Sequence, residues 1–425
     1  MTTETNLDPI LAEVERKAQA AQKAGRALAT APTPLKNAAL EGIATLLGER
    51  SAALLDANAR DVSRARDKGV EGYMIDRLSL NASRIAGMQE GLRQVAALPD
   101  PIGEVMSGWV RPNGLQLTKV RVPLGVIGII YEARPNVTID AAALCIKSGN
   151  ATVLRGGSET IESNKALLAL MQDALEAAGL PRACVELIES TDRAAARHLM
   201  TLNRYIDCLI PRGGASLIRT VVETATVPVI ETGTGNCHVY VDRAADLDMA
   251  EKIILNAKCQ RPSVCNAAES LLIHRDIAGA FLPRIGAALA AKSVQIRGDR
   301  TVAAALPYAA PATEQDWGEE YLALVISVKV VDDLGEAIEH INTYGTRHTE
   351  AIITEDYSAA QRFTAEVDAA GVFVNASTRF TDGFEFGFGA EIGISNQKLQ
   401  ARGPMGLAEL TSYKYIGRGS GQIRQ

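Results

Sequence analysis

Through its first hundred residues the chain repeats apolar positions every three to four residues, rich in alanine and leucine with charges between them, and carries few strand formers. That period predicts helices. Asp8-Pro9 reads as a helix start, Pro32 and Pro34 precede a second helix running to about Arg66, and a third follows Asn81. The pattern then changes. Leu115, Leu117, Val120 and Val122 predict an amphipathic strand, in a hairpin with the segment 105–110. The run 125–131 is almost wholly apolar and β-branched, which predicts a strand buried on both faces of a parallel sheet.

Beyond it, strand-like runs at 151–155, 205–210 and 227–230 alternate with helical ones at 159–178 and 215–223. This is the βαβ rhythm of an open, doubly wound sheet, which binds ligands beyond the carboxyl ends of its strands. A second set begins near His238, with strands to Val241 and at 270–274, 323–331, 350–354 and 371–375, and helices ending near Lys258, Ala291, Thr343 and Val367. Cys265 opens the second strand of that set. A glycine-rich hinge at 231–235 separates the two, and the tail ends in a strand-like run at 410–416 of the kind that often pairs with another chain.

A length of 425 residues implies two or three domains, and 47% hydrophobic with 22% charged residues implies a folded globular chain. With 44 basic against 50 acidic residues and no basic stripe interleaved with aromatics, nucleic acid is not an expected partner. The N-terminal Met-Thr-Thr-Glu-Thr-Asn lacks a basic n-region and an apolar h-region, and no apolar stretch is long enough for a bilayer. The expectation is a soluble, cytoplasmic protein without a membrane partner. Six cysteines in so long a chain are not a disulfide framework; Cys145 and Cys208 read as core residues, while Cys184, Cys237 and Cys259 are undecided. The five histidines show no ligand spacing, so no metal is expected.

Cys265 lies in Arg-Pro-Ser-Val-Cys-Asn, a polar, proline-containing turn with Lys258 and Arg261 nearby to favour thiolate. That makes it the candidate nucleophile, against the plainer reading of a half-buried small residue. Two strand-to-helix turns, Arg155-Gly156-Gly157 and Arg212-Gly213-Gly214, let backbone amides approach a phosphate while arginine pairs with it. Neither is the usual dinucleotide fingerprint. With no acidic residue expected there to take a ribose hydroxyl, the cofactor choice tilts to NADPH/NADP. Asn136 suits either an oxyanion donor or a helix N-cap, and local sequence favours the cap. Glu231 is either a base for the cysteine or a carboxylate capping a glycine turn.

Taken in order, Asn136, the Arg155 turn, Pro211-Arg212-Gly213-Gly214, Glu231, Cys265, Glu319-Glu320 and Asn375 resemble the aldehyde dehydrogenase superfamily over nearly the whole chain. The stretches 261–267, 375–383, 389–395 and 401–407 resemble its acyl-phosphate-reducing branch. The resemblance implies an α/β fold of two doubly wound parallel-sheet domains plus a small oligomerisation flap: 1–104 and 121–232 for NADP(H), 233–404 for the catalytic thiol, and 105–120 with 405–425 as the flap of a homo-oligomer. It raises the oxyanion role of Asn136 above the cap and makes Glu320 a contact to the nicotinamide ribose. Where NAD-using relatives carry lysine then proline, this chain has Arg155 then Gly156.

The implied reaction is reduction of L-glutamyl 5-phosphate by NADPH to L-glutamate 5-semialdehyde and phosphate through a Cys265 thioester, the second step of proline biosynthesis from glutamate. The oxyanion is then held by Asn136 and the Cys265 backbone N–H. Glu231 is left a proton-shuttling or structural role, and Ser377, Arg379, Arg261 and Lys258 are candidates for gripping the substrate's carboxylate and phosphate. Association with the upstream glutamate 5-kinase stays open. The alternatives are an aldehyde dehydrogenase that uses water, a thiol hydrolase without nucleotide, and a scaffold on a retired enzyme fold.

Overall fold

The computed structural model describes residues 8–70 and 72–424; the N-terminal segment read above for targeting signals lies outside them. The chain divides into two compact units, one running to Glu231 and including Phe388–Gly393 and the chain from Met405, the other comprising Thr232–Gly387 and Ile394–Pro404.

In the first unit, helices Pro9–Leu28, Thr33–Glu49, Ser51–Asp67 and Ala82–Ala97 occupy the helical N-terminal region, Asp8 capping the first from its side chain at 2.9 Å. A further short helix, Gly72–Leu78, was not evident from the period. The parallel sheet has the order Val185–Leu187, Ala151–Arg155, Val126–Tyr131, Cys208–Arg212. All six residues of Val126–Tyr131 are buried, as its apolar run requires. The expected strand at 227–230 is instead an isolated bridge from Leu209 to Val229. Pro228 has no N–H to donate, so the ladder stops there. Strands Val105–Val110, Gln116–Pro123 and Thr411–Arg418 form a separate antiparallel sheet, so the tail strand pairs within its own chain.

The second unit holds a seven-stranded parallel sheet, ordered Ala310–Pro311, Gln295–Gly298, Val325–Val331, Ala268–His274, Cys237–Val241, Thr349–Ile353, Gly371–Val374. It is covered on both faces. Val239, Val241, Leu271 and Ile273 pack with Ile254, Phe281 and Ile285 of helices Leu247–Cys259 and Arg275–Ala291. The intervening Tyr240 and Leu272 pack with Ile338, Ile341 and Phe363 of helices Leu334–Tyr344 and Tyr357–Glu366. This alternation is the two-residue period of a strand between two helical layers. Among the described residues no helix is long and apolar enough to cross a membrane.

Candidate active site

In the first unit the chain runs from Val126–Tyr131 outward to Val185–Leu187, then returns to the other side of Val126–Tyr131 with Cys208–Arg212. The carboxyl ends of these two adjacent strands form the switch point where open sheets gather ligands. Pro135 opens helix Pro135–Lys147 with Arg134 at the N-cap position. Asn136 is therefore the second helical residue, and the capping role favoured from local sequence is excluded, because a cap precedes the helix and accepts from its amides. Its exposed side chain donates from Nδ2 to Asp140 Oδ2 at 3.1 Å, one turn on.

Burial pushes Asp140 up to about 6, against the opposing pull of the Asn136 hydrogen bond and the Arg212 charge. Ionising this carboxyl therefore costs the folded protein more than the unfolded chain. Its contribution to stability is full below about pH 4 and is lost as pH rises through about 6. Asp140→Asn removes that loss, so its Tm relative to the native chain is expected to rise between about pH 4 and pH 8. A Tm difference that stays flat over this range contradicts the assignment.

Both glycine turns are lined by the protein's own acids, which corrects the expectation that none stands there. Gly214 N–H donates to Glu132 Oε1 at 3.0 Å, and a Cβ on Gly213 would come within 2.7 Å of the Glu132 carboxyl carbon. At the other turn a Cβ on Gly157 would lie 2.7 Å from Glu159 Oε2, and one on Gly156 2.4 Å from Asn164 Nδ2. Helix Ile161–Ala177 begins only after the turn Ser158–Thr160, and the amides of Glu162 and Ser163 donate to Asp61 at 3.2 and 2.8 Å. A carboxylate thus fills the helix end that was expected to face a phosphate. Arg155 donates from Nη2 to the carbonyl oxygens of Thr191 and Asp192 at 3.0 and 3.4 Å, and its buried Nε has no partner among the described residues. Carboxylates beside glycine turns suit ribose hydroxyls, and that unpaired Nε suits an added acceptor. The residues present fit a dinucleotide, without favouring a 2′-phosphate.

In the second unit the loops that carry the candidate residues Cys265 and Glu320 lie at the amino ends of the strands. Cys265 lies in the turn three residues before Ala268–His274, rather than opening that strand, and is half-buried. Gly235 precedes Cys237–Val241, and a Cβ there would fall 1.5 Å from the Cys265 carbonyl oxygen. The same oxygen accepts from Cys237 Sγ at 3.1 Å. Burial holds the Cys237 thiol well above its usual pKa, so it acts as a neutral donor. Gly235 N–H in turn donates to Glu320 Oε1 at 2.7 Å, so this carboxylate, expected on a ribose, also braces the neighbour of the candidate nucleophile. Asn266 Nδ2 donates to the carbonyls of Arg379 and Thr381 at 3.3 and 2.9 Å.

Arg379 is half-buried. Its pKa is lowered by burial first and then by the charge of Arg261, while Asp382 and the Cys265 sulfur oppose that shift. Arg261, Arg379 and Cys265 therefore share one electrostatic neighbourhood. Lys258 does not join them, which corrects its candidacy as a substrate contact. It is fully buried and paired with Glu269, whose other oxygen accepts from Leu322 N–H at 3.1 Å. Removing Lys258 would strand a buried charge, a structural reason for the lysine. Ser377 is also buried, and its Oγ accepts the Arg379 N–H at 3.3 Å, so it shapes the turn that carries Arg379. Glu231 is half-buried at the last position of the first unit. Gly235, Asn266, Asp140 and Glu132 went unread as site residues; the Gly-Thr-Gly-Asn stretch was the sole local sign of the first.

A sheet-and-thiol architecture of this kind has counterparts among known proteins. The aldehyde dehydrogenase family model matches residues 10–307 and 302–416, and the chain belongs to that family, whose members are oxidoreductases. Within it the relatives are more particular. A gamma-glutamyl phosphate reductase from Moorella thermoacetica is 61% identical over 413 residues, 97% of this chain and 99% of that one. The crystal structure of gamma-glutamyl phosphate reductase from Thermotoga maritima matches with a TM-score of 0.96 at 50% identity, covering 97% of this chain and 100% of that one. An acetylating aldehyde dehydrogenase from Geobacillus thermoglucosidasius shares the fold at 17% identity, with a TM-score of 0.69 over 98% of each chain. The resemblance and the fold class drawn from the sequence are both borne out.

Proposed function

We propose that this enzyme reduces L-glutamyl 5-phosphate to L-glutamate 5-semialdehyde, releasing phosphate, with NADPH as cofactor, and so performs the second step of proline biosynthesis from glutamate. The names of the relatives support the substrate. The observation that carries the chemistry is the fixed Cys265 turn, clamped by Gly235 and Cys237 and set in the field of Arg261 and Arg379.

The Cys265 thiolate attacks the acyl carbonyl carbon; the carbon–oxygen bond to phosphate breaks, and phosphate leaves without an acid because it is already a good leaving group. A thioester remains on Sγ. NADPH, when bound, supplies a hydride; Glu132, Glu159, Arg155 and Arg212 are the residues proposed to hold it, with Glu320 on the nicotinamide ribose. Asn136 is the proposed donor to the oxyanion of the thiohemiacetal, a contact worth roughly 3 kcal/mol in related chemistry. Collapse of that adduct frees the semialdehyde and restores the thiolate. Arg379 is proposed to take the substrate's α-carboxylate and Arg261 its phosphate. Glu231 has no required step in this sequence, because no water is activated.

Oligomerisation through the antiparallel sheet accompanies this reading. Every residue of Val105–Val110 is exposed, and Trp109 packs edge-on to exposed Tyr415 at 6.1 Å, leaving an apolar surface suited to a second copy. A cytoplasmic location and association with glutamate 5-kinase, shielding the labile acyl phosphate, complete the proposal.

The test is the reverse direction. Oxidation of glutamate 5-semialdehyde with NADP should require phosphate or arsenate. Equal rates without either would make water the acceptor and overturn the proposal.

A further inference from the structure

We propose that Gln260, Asn266 and Thr378 form a ruler that fixes the separation of Cys265 and Arg379, and so selects the acyl chain length between the attacked carbonyl and the α-carboxylate. This rests on the reading above, in which Cys265 meets the carbonyl and Arg379 the carboxylate.

The ruler begins with a reversal of the chain. Strand Gly371–Val374 ends at Asn375, which adopts the left-handed conformation at φ 55° and exchanges two side-chain hydrogen bonds with the Thr354 backbone, both 2.9 Å. Asparagine is among the few residues that tolerate this conformation. The chain then doubles back through the single turn Thr378–Phe380 to Thr381, whose Oγ1 accepts from Thr349 at 2.9 Å at the amino end of its strand. Arg379 is thereby brought to the edge of the sheet where the Cys265 turn lies.

Its remaining anchors lead back to the segment around Cys265. Thr378 Oγ1 donates to the Asn266 carbonyl at 2.7 Å, and Asn266 Nδ2 donates to the carbonyls of Arg379 and Thr381. Asn266 immediately follows the nucleophile and is 4% exposed, so three hydrogen bonds tie the two turns in a dry setting where they are strong. The side chain is referenced separately: Arg379 Nε donates to Gln260 Oε1 at 3.0 Å, and Gln260 is the C-cap of helix Leu247–Cys259. With Nε engaged, the end-on fork of the guanidinium is the edge a carboxylate would take.

A rigid reference at both ends turns substrate length into energy. A four-carbon homologue must surrender its arginine contact or offer its carbonyl about 1 Å out of place, and a misplacement of that size costs roughly 10²-fold. Filling space discriminates one methylene by about 10- to 200-fold on its own, so the ruler is identified by its response to loosened anchors and not by the size of the native preference. Loosening either anchor lets Arg379 follow the shorter substrate.

The experiment compares phosphate-dependent oxidation of glutamate 5-semialdehyde and aspartate 4-semialdehyde by the full-length enzyme and by Gln260→Ala, Thr378→Val and Thr378→Ser. Gln260 is exposed, so its replacement is expected to leave Tm unchanged. The ratio of the two kcat/KM values should fall about tenfold in Gln260→Ala and Thr378→Val, through a higher kcat/KM for the four-carbon aldehyde together with a higher KM for the five-carbon one, and recover in Thr378→Ser. Should Thr378→Val not fold, Gln260→Ala carries the test. An unchanged ratio in Gln260→Ala, in an enzyme where Arg379→Ala raises that KM, overturns the ruler and keeps the grip. If Arg379→Ala moves neither KM nor ratio, the grip itself fails and the ruler falls with it.

Discussion

Cys265→Ala is expected to lose turnover by about 10⁴-fold or more, since removal of a covalent nucleophile leaves only binding and oxyanion contributions. The sulfur is half-buried in a turn whose main chain is held by neighbours, so its loss should leave both Tm and the affinity for the nicotinamide cofactor within experimental error of the native values. Steady-state rates and a thermal melt on the same preparation check both halves. Substantial residual turnover would remove the thiol from the chemistry. A collapsed melt would mean that Cys265 is a packing residue, the plainer reading weighed from its sequence context.

Gly235→Ala should be nearly as damaging for a different reason. A methyl group there would overlap the Cys265 carbonyl oxygen at 1.5 Å and approach its Cα at 2.8 Å, and both are backbone atoms that no side-chain rotation can move aside. The turn must shift by about an ångström or more, which costs roughly 10² in kcat, with destabilisation of about 3 kcal/mol or more from strain and the broken Glu320 contact. Urea unfolding and kcat measured together test this. A variant with native stability and native rate would show that the turn tolerates displacement, and the positional account of the nucleophile would be wrong.

What could be read along the chain was whatever local periodicity and local chemistry determine. The unbroken apolar run at Val126–Tyr131 could only be a doubly covered strand, and Val105–Val110 and Ala151–Arg155 fall where their patterns put them. Gln295–Gly298 went unread because it is four residues long and carries glutamine and arginine among its apolar positions. Ala310–Pro311 is shorter still. The strand expected at 227–230 failed for a reason visible in hindsight, the missing N–H of Pro228.

The site divides in the same way. Cys265 stands out by its polar, proline-containing neighbourhood, whereas the groups that set its geometry act across long separations. Asp61 reaches the amides of Glu162 and Ser163, and Glu132 reaches Gly214, so these two acids are invisible to a window of a dozen residues, whereas Glu159 stands two positions past Gly157 and was open to a local reading. Lys258 looked available because it is charged and close in sequence to the cysteine; only the fold reveals Glu269 against it in the core. Asn136 looked like a cap because asparagine often is one, yet Pro135 had already started the helix. The candidate residues of the first unit lie at the carboxyl edge of its sheet, where open sheets bind, whereas in the second unit the loops entering the strands carry the thiol, Gly235 and Glu320.

A covalent acyl group on the Cys265 sulfur would be seen by intact-protein mass spectrometry with peptide mapping. Enzyme incubated with glutamate 5-semialdehyde and NADP in phosphate-free buffer should accumulate a glutamyl adduct on the peptide containing Cys265, and adding phosphate should discharge it. An active enzyme that never carries the adduct, or carries it on another residue, contradicts the account.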